Sequence, residues 1–177
     1  RVLFRSKAES WAFGANQYRG DEGPLGVNNG NQMKNPLYKA FVNAGVEAGY
    51  LATDDYNATQ QEGFGPMHMT IKDGVRSSTS NAYLRPVISR SNLTVITHAL
   101  VHKVLLKDKQ CVGVRYERKG KVIDVSVSKE VILSAGPIGS PHILQLSGIG
   151  AKADIEAAGI ELNHELAGVG ANLQDHL

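Results

Sequence analysis

The stretch whose residue types are best suited to chemistry runs from residue 129 to residue 150. It opens with a short apolar run at 131–133, which is typical of a buried parallel strand. Gly136 then lets the backbone turn tightly, and Ser140-Pro141 supplies an N-cap and a first-turn proline for a helix through Leu146. Such a strand, turn and helix form the unit that binds phosphates or dinucleotides in doubly wound sheets, although α/β proteins also contain it with nothing bound.

Two further groups of polar residues lie in a glycine-rich stretch at 53–71 that is too long for an ordinary connection. Asp54 and Asp55 are adjacent, and we interpret them as turn formers rather than metal ligands or an acid–base pair. His68 lies between Met67 and Met69. We expect a structural histidine on a strand there, with a cavity-lining position as the alternative.

The remaining candidates for chemistry have simple structural explanations. His98 and His102 are four residues apart, but the sequence around them is strand-like, so they are not expected to share a face as a metal pair. Cys111 is the only cysteine, which excludes an intrachain disulfide and a cysteine metal cluster and fits a reducing compartment. It lies in an alternating apolar run, and we interpret it as a buried structural thiol. The sequence contains no HExxH, GxSxG or P-loop pattern.

Composition excludes several classes of function. The chain has 177 residues, which is enough for one domain with a sizeable core. Its net charge of +2 comes entirely from Arg1 and Arg5, so nothing indicates binding to nucleic acid or to an anionic membrane surface. No apolar run approaches the roughly 18 residues that a membrane span requires. A peripheral membrane association would leave no mark in the sequence and stays open.

The pattern along the chain predicts a mixed α/β fold. A helix is expected from Asn35-Pro36 to Gly49, followed by a hairpin at Asp73-Gly74 and a short helix at 81–84 that Pro86 interrupts. After residue 92 the pattern favours strands. We expect them, after a short strand at 25–27, at the following positions: 93–97, 101–106, 112–118, 122–127, 131–133 and 160–162. Between the last two we place the helix described above and a second helix at 152–158.

The two ends indicate a piece of a longer protein. There is no initiator Met and no targeting pattern, and residues 1–6 match what a sequencing adapter would encode, so we expect them to be non-native. The chain stops at Leu177, directly after a motif. We therefore expect an internal fragment.

Two motifs resemble those of a known family. The run at 136–150, which reads Gly-Pro-Ile-Gly-Ser-Pro-His-Ile-Leu-Gln-Leu-Ser-Gly-Ile-Gly, resembles the second signature of the glucose-methanol-choline (GMC) oxidoreductases. The run at 168–176, Gly-Val-Gly-Ala-Asn-Leu-Gln-Asp-His, is similar to the companion motif that follows at about this distance. The resemblance extends over 7–177, and the Gln-Gln-Glu-Gly-Phe-Gly run from Gln60 favours the choline-oxidising branch of the family.

This resemblance implies part of an FAD-binding Rossmann-like domain together with part of a substrate domain. We assign 7–90 to the FAD-binding and substrate region, and 91–177 to a β-rich segment that returns into the FAD-binding domain. The implied activity is FAD-dependent oxidation of an alcohol, with choline converted to betaine aldehyde and electrons passed to a quinone or another acceptor. The family's catalytic residues are expected outside the fragment, which would then be inactive alone.

The resemblance also implies which residues face the cofactor. The first group lies on the edge of one strand and at the end of another, and both would pass close to FAD. The second group lies on a segment that would run past the flavin. The residues are Val101, Ser134, Ala135, Gly136, Asn172, Asp175 and His176. Ordinary packing or capping is the alternative for each, and no metal ligand is expected.

Two other functions stay open at this point. The first is a GMC enzyme that acts on another primary alcohol or on a sugar, and the second is a non-catalytic FAD-fold binding module. The implied location is the cytoplasm, the periphery of a bacterial inner membrane, or a mitochondrion if the source is eukaryotic.

Overall fold

The computed structural model describes residues 7–30 and 34–175 and divides into two compact units. The first unit comprises the described residues up to Val95, and the second begins at Ile96. Residues 1–6, which we expected to be non-native, lie outside the described residues. The predicted mixture of helices and strands is confirmed.

The first unit contains two small pairs of strands. Strands β1 (Glu9–Trp11) and β2 (Leu25–Val27) are parallel. Strands β3 (Ile71–Lys72) and β4 (Val75–Arg76) form an antiparallel hairpin. Its turn residues Asp73 and Gly74 have positive φ values of 51° and 75°, as a two-residue hairpin turn requires. The predicted hairpin and the predicted short strand at 25–27 are therefore confirmed.

Helix α1 (Pro36–Glu47) confirms the helix predicted for this region. The Asn35 side chain accepts a hydrogen bond from the Leu37 N–H at 3.0 Å, which satisfies one of the free donors of the first turn. Gly49, with φ of 92°, follows the end of the helix. Gly45 is buried against the Phe64 ring, and a Cβ at this position would overlap that ring. The glycine therefore sets how closely α1 approaches the loop that carries Phe64.

The short helix predicted at 81–84 is present as a π-helical turn at Ser80–Leu84. A 3₁₀ turn, Arg85–Val87, continues it around Pro86. Proline has no N–H to donate to the preceding turn, so the regular helix does not continue through it.

The second unit is built on a three-stranded antiparallel sheet. Its strands are β5 (Leu100–Lys107), β6 (Gln110–Arg118) and β7 (Lys121–Ser126), in the order β5-β6-β7. Lys119 and Gly120, both with positive φ, form the turn between β6 and β7. The strands predicted at 101–106, 112–118 and 122–127 are confirmed.

Two helices and a parallel strand pair complete this unit. They are α2 (Gly136–Leu146), β8 (Ile149–Gly150), α3 (Lys152–Ala157) and β9 (His164–Glu165). Helix α2 packs on β5, and Ile155 of α3 is the most deeply buried large side chain described, with 1% exposed.

Three predicted strands are wrong. Residues 93–97, 131–133 and 160–162 are outside any strand, and Ile132 is 77% exposed. A strand is defined by hydrogen bonds to a neighbouring strand, and among the described residues none pairs with these segments. These segments are apolar, as buried strands are, but an apolar sequence does not by itself provide a neighbouring strand to pair with.

The predicted start of α2 is also wrong. We expected Ser140 to cap the helix and Pro141 to begin it, but the helix begins at Gly136 and Pro141 lies inside it. Pro137 occupies the first turn, where a missing N–H costs nothing. The Ser140 hydroxyl instead accepts a hydrogen bond from the Ala135 N–H at 3.0 Å.

None of the helices within 7–30 and 34–175 is long and apolar enough to span a membrane.

Candidate functional site

The first turn of α2 is open. Its N-cap residue, Ala135, makes no side-chain capping hydrogen bond and is exposed. Gly136 has a φ of 84°, and among the described residues no atom beyond its neighbours in the chain and in its own helix lies within 4 Å of the position that a Cβ would occupy. An uncapped helix start presents N–H groups and the positive end of the helix dipole, a combination that favours an anionic group. The space beside Gly136 leaves room for such a group.

The motif at 168–176 lies against the same helix. Gln145 Nε2 donates a hydrogen bond to the Val169 carbonyl at 3.4 Å. A Cβ on Gly170 would be 2.8 Å from that same amide nitrogen, so the glycine allows the contact. The two motifs of the sequence are therefore joined through one side chain.

A cavity of about 370 Å³ separates the two motifs. Its walls are formed by residues of α2, both apolar and polar, and by residues of the second motif. The lining residues are Pro137, Ile138, Pro141, His142, Gln145, Gly170, Ala171 and Leu173.

The C-terminal end of α2 is anchored to the sheet by Ser147. The Val104 N–H donates to Ser147 Oγ at 2.9 Å, and that hydroxyl donates to the Ile143 carbonyl at 2.6 Å. Ser147 is 3% exposed and Val104 is 6% exposed, so both hydrogen bonds are shielded from water. This anchor fixes the cavity wall relative to β5.

The structure places the predicted cofactor residues around this helix and on β5, without gathering all of them at the cavity. Val101 is half-buried in β5 opposite Tyr116. Ser134 and Ala135 are exposed just before α2. None of the six that belong to the described residues lines the cavity, although the sequence neighbours of Gly136 and Asn172 do.

The second motif supplies the remaining predicted positions. Asn172 is exposed and has a φ of 55°, a conformation that asparagine tolerates better than most residues. Asp175 is exposed as well, and His176 lies outside the described residues. The assignment of all seven residues to the cofactor stays a prediction.

Gln145 was missed as a functional residue. It is a polar side chain in the otherwise apolar run at 143–146, which is a weak signal for a buried contact. Its partner is a backbone carbonyl 24 residues away, and sequence spacing does not reveal such a pairing.

A second cluster, which we call the Arg19 cluster, lies in the first unit and comprises Glu9, Arg19, Asp55 and His68. Arg19 Nη1 donates to Glu9 Oε1 at 2.5 Å. Its Nε and Nη2 donate to the two carboxylate oxygens of Asp55 at 2.8 and 2.7 Å. Arg19 Nη2 also lies 2.6 Å from His68 Nδ1. The Arg19 and His68 side chains are only 5% and 3% exposed.

Aromatic rings enclose the Arg19 cluster. The Arg19 guanidinium lies 4.4 Å from the centre of the Trp11 ring, which adds a cation–π attraction. The His68 ring is stacked on Tyr56 at 4.5 Å, and the backbone N–H of His68 donates to Tyr56 Oη at 3.1 Å. The rings exclude water, so the charges in the cluster interact more strongly than at the surface.

The charges in the cluster shift one another's pKa values. Burial opposes the charge on Arg19, but the carboxylates of Asp55 and Glu9 outweigh it and raise the pKa of Arg19. Burial likewise opposes ionisation of Asp55, and its hydrogen bonds from Arg19 and from the Asn57 N–H lower its pKa overall. For His68, burial and then the charge of Arg19 lower the pKa, against the opposing influence of Asp55, Glu9 and the Asp54 backbone.

These findings refine the interpretation of the acidic pair and of His68. Asp55 does form a turn, because its carboxylate accepts the Asn57 N–H at 2.8 Å. It also pairs with Arg19, which the sequence did not indicate. His68 is structural, as expected, but it lies outside any strand. Within 7–30 and 34–175, no group of three or more His, Cys, Asp or Glu residues is arranged to hold a metal ion.

His102 and the cysteine are less enclosed than His68. His102 lies in β5, as predicted, with Nε2 at 3.5 Å from Glu117 Oε2 across the strand pair. Cys111 is half-buried, and its Sγ lies 3.6 Å from the Gly113 carbonyl.

Comparison with known proteins assigns the family. Residues 5–177 match the family described as GMC oxidoreductase, in its N-terminal part. The chain belongs to the GMC oxidoreductase family. This confirms the resemblance drawn from the two motifs at 136–150 and 168–176.

Several curated relatives of this chain come from bacteria. The chain is 60% identical over 172 residues to "Oxygen-dependent choline dehydrogenase" of Photobacterium profundum, which covers 97% of this chain and 30% of that protein. It is 55% identical to the protein of the same name in Vibrio vulnificus, over 97% of this chain and 31% of that protein. The chain thus spans about 30% of the length of the curated relatives that it matches.

Two solved structures of oxidoreductases have a fold similar to that of this chain. The FAD-dependent oxidoreductase from Chaetomium thermophilum superimposes with a TM-score of 0.88 at 33% identity, over 98% of this chain and 32% of that one. Pyridoxine 4-oxidase from Mesorbium loti superimposes with a TM-score of 0.86 at 27% identity, over 93% of this chain and 32% of that one.

Proposed function

We propose that this chain is part of an FAD-dependent oxidoreductase that oxidises an alcohol, and that the alcohol is choline. The observation that carries the proposal is the junction of the two motifs at α2. Gln145 joins them across a cavity beside an uncapped helix start, in a chain of the GMC family. The names of the bacterial relatives support choline as the substrate.

The residues at the start of α2 suit one part of FAD. The cofactor carries a negatively charged pyrophosphate, and the open N–H groups after Ala135 favour an anion. Gly136 and Ala135 have small side chains, which allow a close approach of the cofactor to the backbone. Bound FAD would supply a flavin ring that accepts hydride from the alcohol carbon.

The other predicted residues would act through the backbone or by position. Val101 would contact the cofactor with the N–H and C=O of β5. Ser134 would lie at the approach to the same helix start. Asn172, Asp175 and His176 would form the segment that leads from the flavin towards the substrate. In this proposal the chain holds and orients FAD, and the groups that take the alcohol proton lie elsewhere in the complete protein.

The test of this proposal is a spectrum of the complete protein that carries this sequence. The purified protein is expected to show the absorption band of oxidised flavin, and choline added without oxygen is expected to bleach it. Glucose, a simple primary alcohol and pyridoxine serve as comparison substrates. Bleaching by one of these and not by choline would overturn the substrate. Absence of the flavin band would overturn the cofactor, and a flavin band that no alcohol bleaches would favour a binding module.

The electron acceptor and the location are part of the same proposal. A quinone is one acceptor, and oxygen is the one that the relatives' names indicate. The two acceptors are distinguished by the rate at which air reoxidises the bleached protein, compared with the rate for a soluble quinone. We propose a cytoplasmic protein, or one held at the bacterial inner membrane, and fractionation of cells separates the two locations.

A further inference from the structure

The Arg19 cluster holds a loop at two points. Arg19 lies in the connection between β1 and β2, whereas Asp55 and His68 both belong to the loop at 53–69. The neighbours of these two residues, Tyr56 on one side and Met67 and Met69 on the other, line a cavity of about 460 Å³. The contacts of Arg19 with Asp55 and His68 therefore hold in place the neighbouring residues that form the wall of that cavity.

The hydrogen bond to Arg19 defines the protonation of His68. A guanidinium has only donors, so the Nδ1 atom at 2.6 Å must accept, and the ring is neutral with its proton on Nε2. Nε2 is buried and has no hydrogen-bond partner among the residues that the structure describes. A second proton on the ring would go to Nδ1 and would set two donors against each other at that short distance.

An alternative partner for a protonated His68 is already in place. Asp55 Oδ1 lies 3.7 Å from Nδ1, so a small shift of the ring would allow Nδ1–H to donate to this carboxylate. That oxygen currently accepts from Arg19 Nη2. Arg19 and a charged His68 would therefore compete for Asp55.

Protonation of His68 changes the charge balance of the cluster. Arg19 faces two carboxylates, Glu9 and Asp55, so with neutral His68 the cluster carries one excess negative charge. The groups that face the His68 ring are these three charges, the Asp54 backbone and the rings of Trp11 and Tyr56. A proton on His68 would cancel the excess charge, but burial of the ring and the charge of Arg19 oppose it as long as the cluster is closed.

We propose that the Arg19 cluster is a pH-operated latch on the loop at 53–69, closed when His68 is neutral and released when His68 is protonated. On release, His68 takes up a proton from solvent at Nδ1 and donates this N–H to the Asp55 carboxylate, which weakens the hold of Arg19 on the loop and loosens the wall of the cavity. This proposal concerns the first unit and is independent of FAD and of choline.

The direction of the pH effect follows from the environment of His68. Burial and the charge of Arg19 lower its pKa below the ordinary value of 6.5. A histidine whose pKa is lowered in the closed state takes up a proton on opening. The closed state is therefore fully favoured above pH 6.5 and loses stability as the pH falls below it.

The experiment is hydrogen–deuterium exchange on the complete protein at a series of pH values, with rates corrected for intrinsic exchange. Peptides from 53–69 are expected to lose protection below about pH 6.5, with the open fraction rising up to about tenfold for each further pH unit. Peptides from β6 and β7 serve as the internal control and are expected to stay unchanged in this range.

His68→Asn provides the matched variant. Its amide oxygen can accept from Arg19 in place of Nδ1, and it does not titrate, so the loop is expected to stay protected over the same range. An equal loss of protection in this variant, or no loss in the parent protein, overturns the proposal. If the variant does not fold, the pH at the midpoint of the loss of protection in the parent protein decides. A midpoint between about pH 5 and pH 6.5 supports titration of His68. A midpoint below about pH 4.5 assigns the change to carboxylates and overturns the latch.

Discussion

Arg19 and Asp55 form a two-pronged ion pair, with Nε and Nη2 of the guanidinium donating to the two oxygens of one carboxylate at 2.8 and 2.7 Å. The two residues are 36 positions apart in the sequence. Such side-on pairing fixes both distance and orientation, which a lysine could not do. It therefore holds the connection between β1 and β2 and the loop at 53–69 in a single relative geometry.

Removal of the cation is expected to destabilise the first unit strongly. Arg19→Met would leave the carboxylates of Glu9 and Asp55 buried without a counter-charge, and loss of one partner of a buried pair costs about 3–5 kcal/mol. The measurement is the opening free energy from native-state hydrogen exchange in peptides from β1 and from 53–69, because a multidomain protein has no single unfolding free energy.

Arg115→Met is the control for this experiment. Arg115 makes the same kind of pair with Asp124, with Nε to Oδ1 at 2.7 Å, but both side chains are exposed. Surface ion pairs contribute little because water already solvates them. A loss for Arg115→Met as large as that for Arg19→Met would contradict the importance assigned to burial.

The local elements of the fold could be predicted because their signals lie within a few residues. Asn35-Pro36 marks the start of α1, and Asp73-Gly74 marks a hairpin turn whose backbone few other pairs adopt. Residues 131–133 failed for the opposite reason. Their apolar character is compatible with a strand, but pairing depends on a neighbour that the sequence does not place.

The site at α2 and the Arg19 cluster differ in how far the sequence could predict them. The motifs around α2 could be found by resemblance, whereas the contact from Gln145 to Val169 depends on the folded path between them. The Arg19 cluster has no sequence signal at all. Its members come from three separate stretches, and an arginine beside a glycine is ordinarily a solvated residue.

The acid stability of the first unit is expected to depend on Asp55. Its pKa is lowered in the folded protein, so its contribution is present above its ordinary value of 3.8 and is lost as the pH falls further, through the folded pKa. Asp55→Asn removes this acid-dependent contribution to stability. At neutral pH it also replaces the charged acceptor of the Arg19 hydrogen bonds by a neutral one, and this loss costs about 1.5–3 kcal/mol. The opening free energy of 53–69 at neutral pH measures the second effect, and its change between about pH 5 and pH 3 measures the first. A parent and variant with the same slope in that range would assign the acid sensitivity to another group.

Ser147→Ala is expected to weaken the attachment of α2 to β5. The substitution leaves the buried Val104 N–H without its acceptor, and an unsatisfied buried donor costs about 1–3 kcal/mol. Ser140→Ala in the same helix is the matched control, because the Ala135 N–H that it releases is exposed and water can replace the hydroxyl. The two variants are compared by hydrogen exchange of the β5 amides. Equal effects would mean that burial of the Ser147 hydroxyl does not matter.

Gly136→Ala separates backbone strain from a role in binding FAD. Gly136 and Gly159 have similar positive φ values, 84° and 70°, and neither has an atom within 4 Å of an added Cβ. Alanine should therefore cost a similar amount at both positions, about 1–2 kcal/mol for the left-handed conformation. Only Gly136 lies at the helix start that we assign to the cofactor. The ratio of bound flavin to complete protein, measured by absorbance after dialysis, is expected to fall for Gly136→Ala and to stay near the parent value for Gly159→Ala. A parallel fall in both variants would trace the loss to strain, and full retention in both would remove Gly136 from the cofactor site.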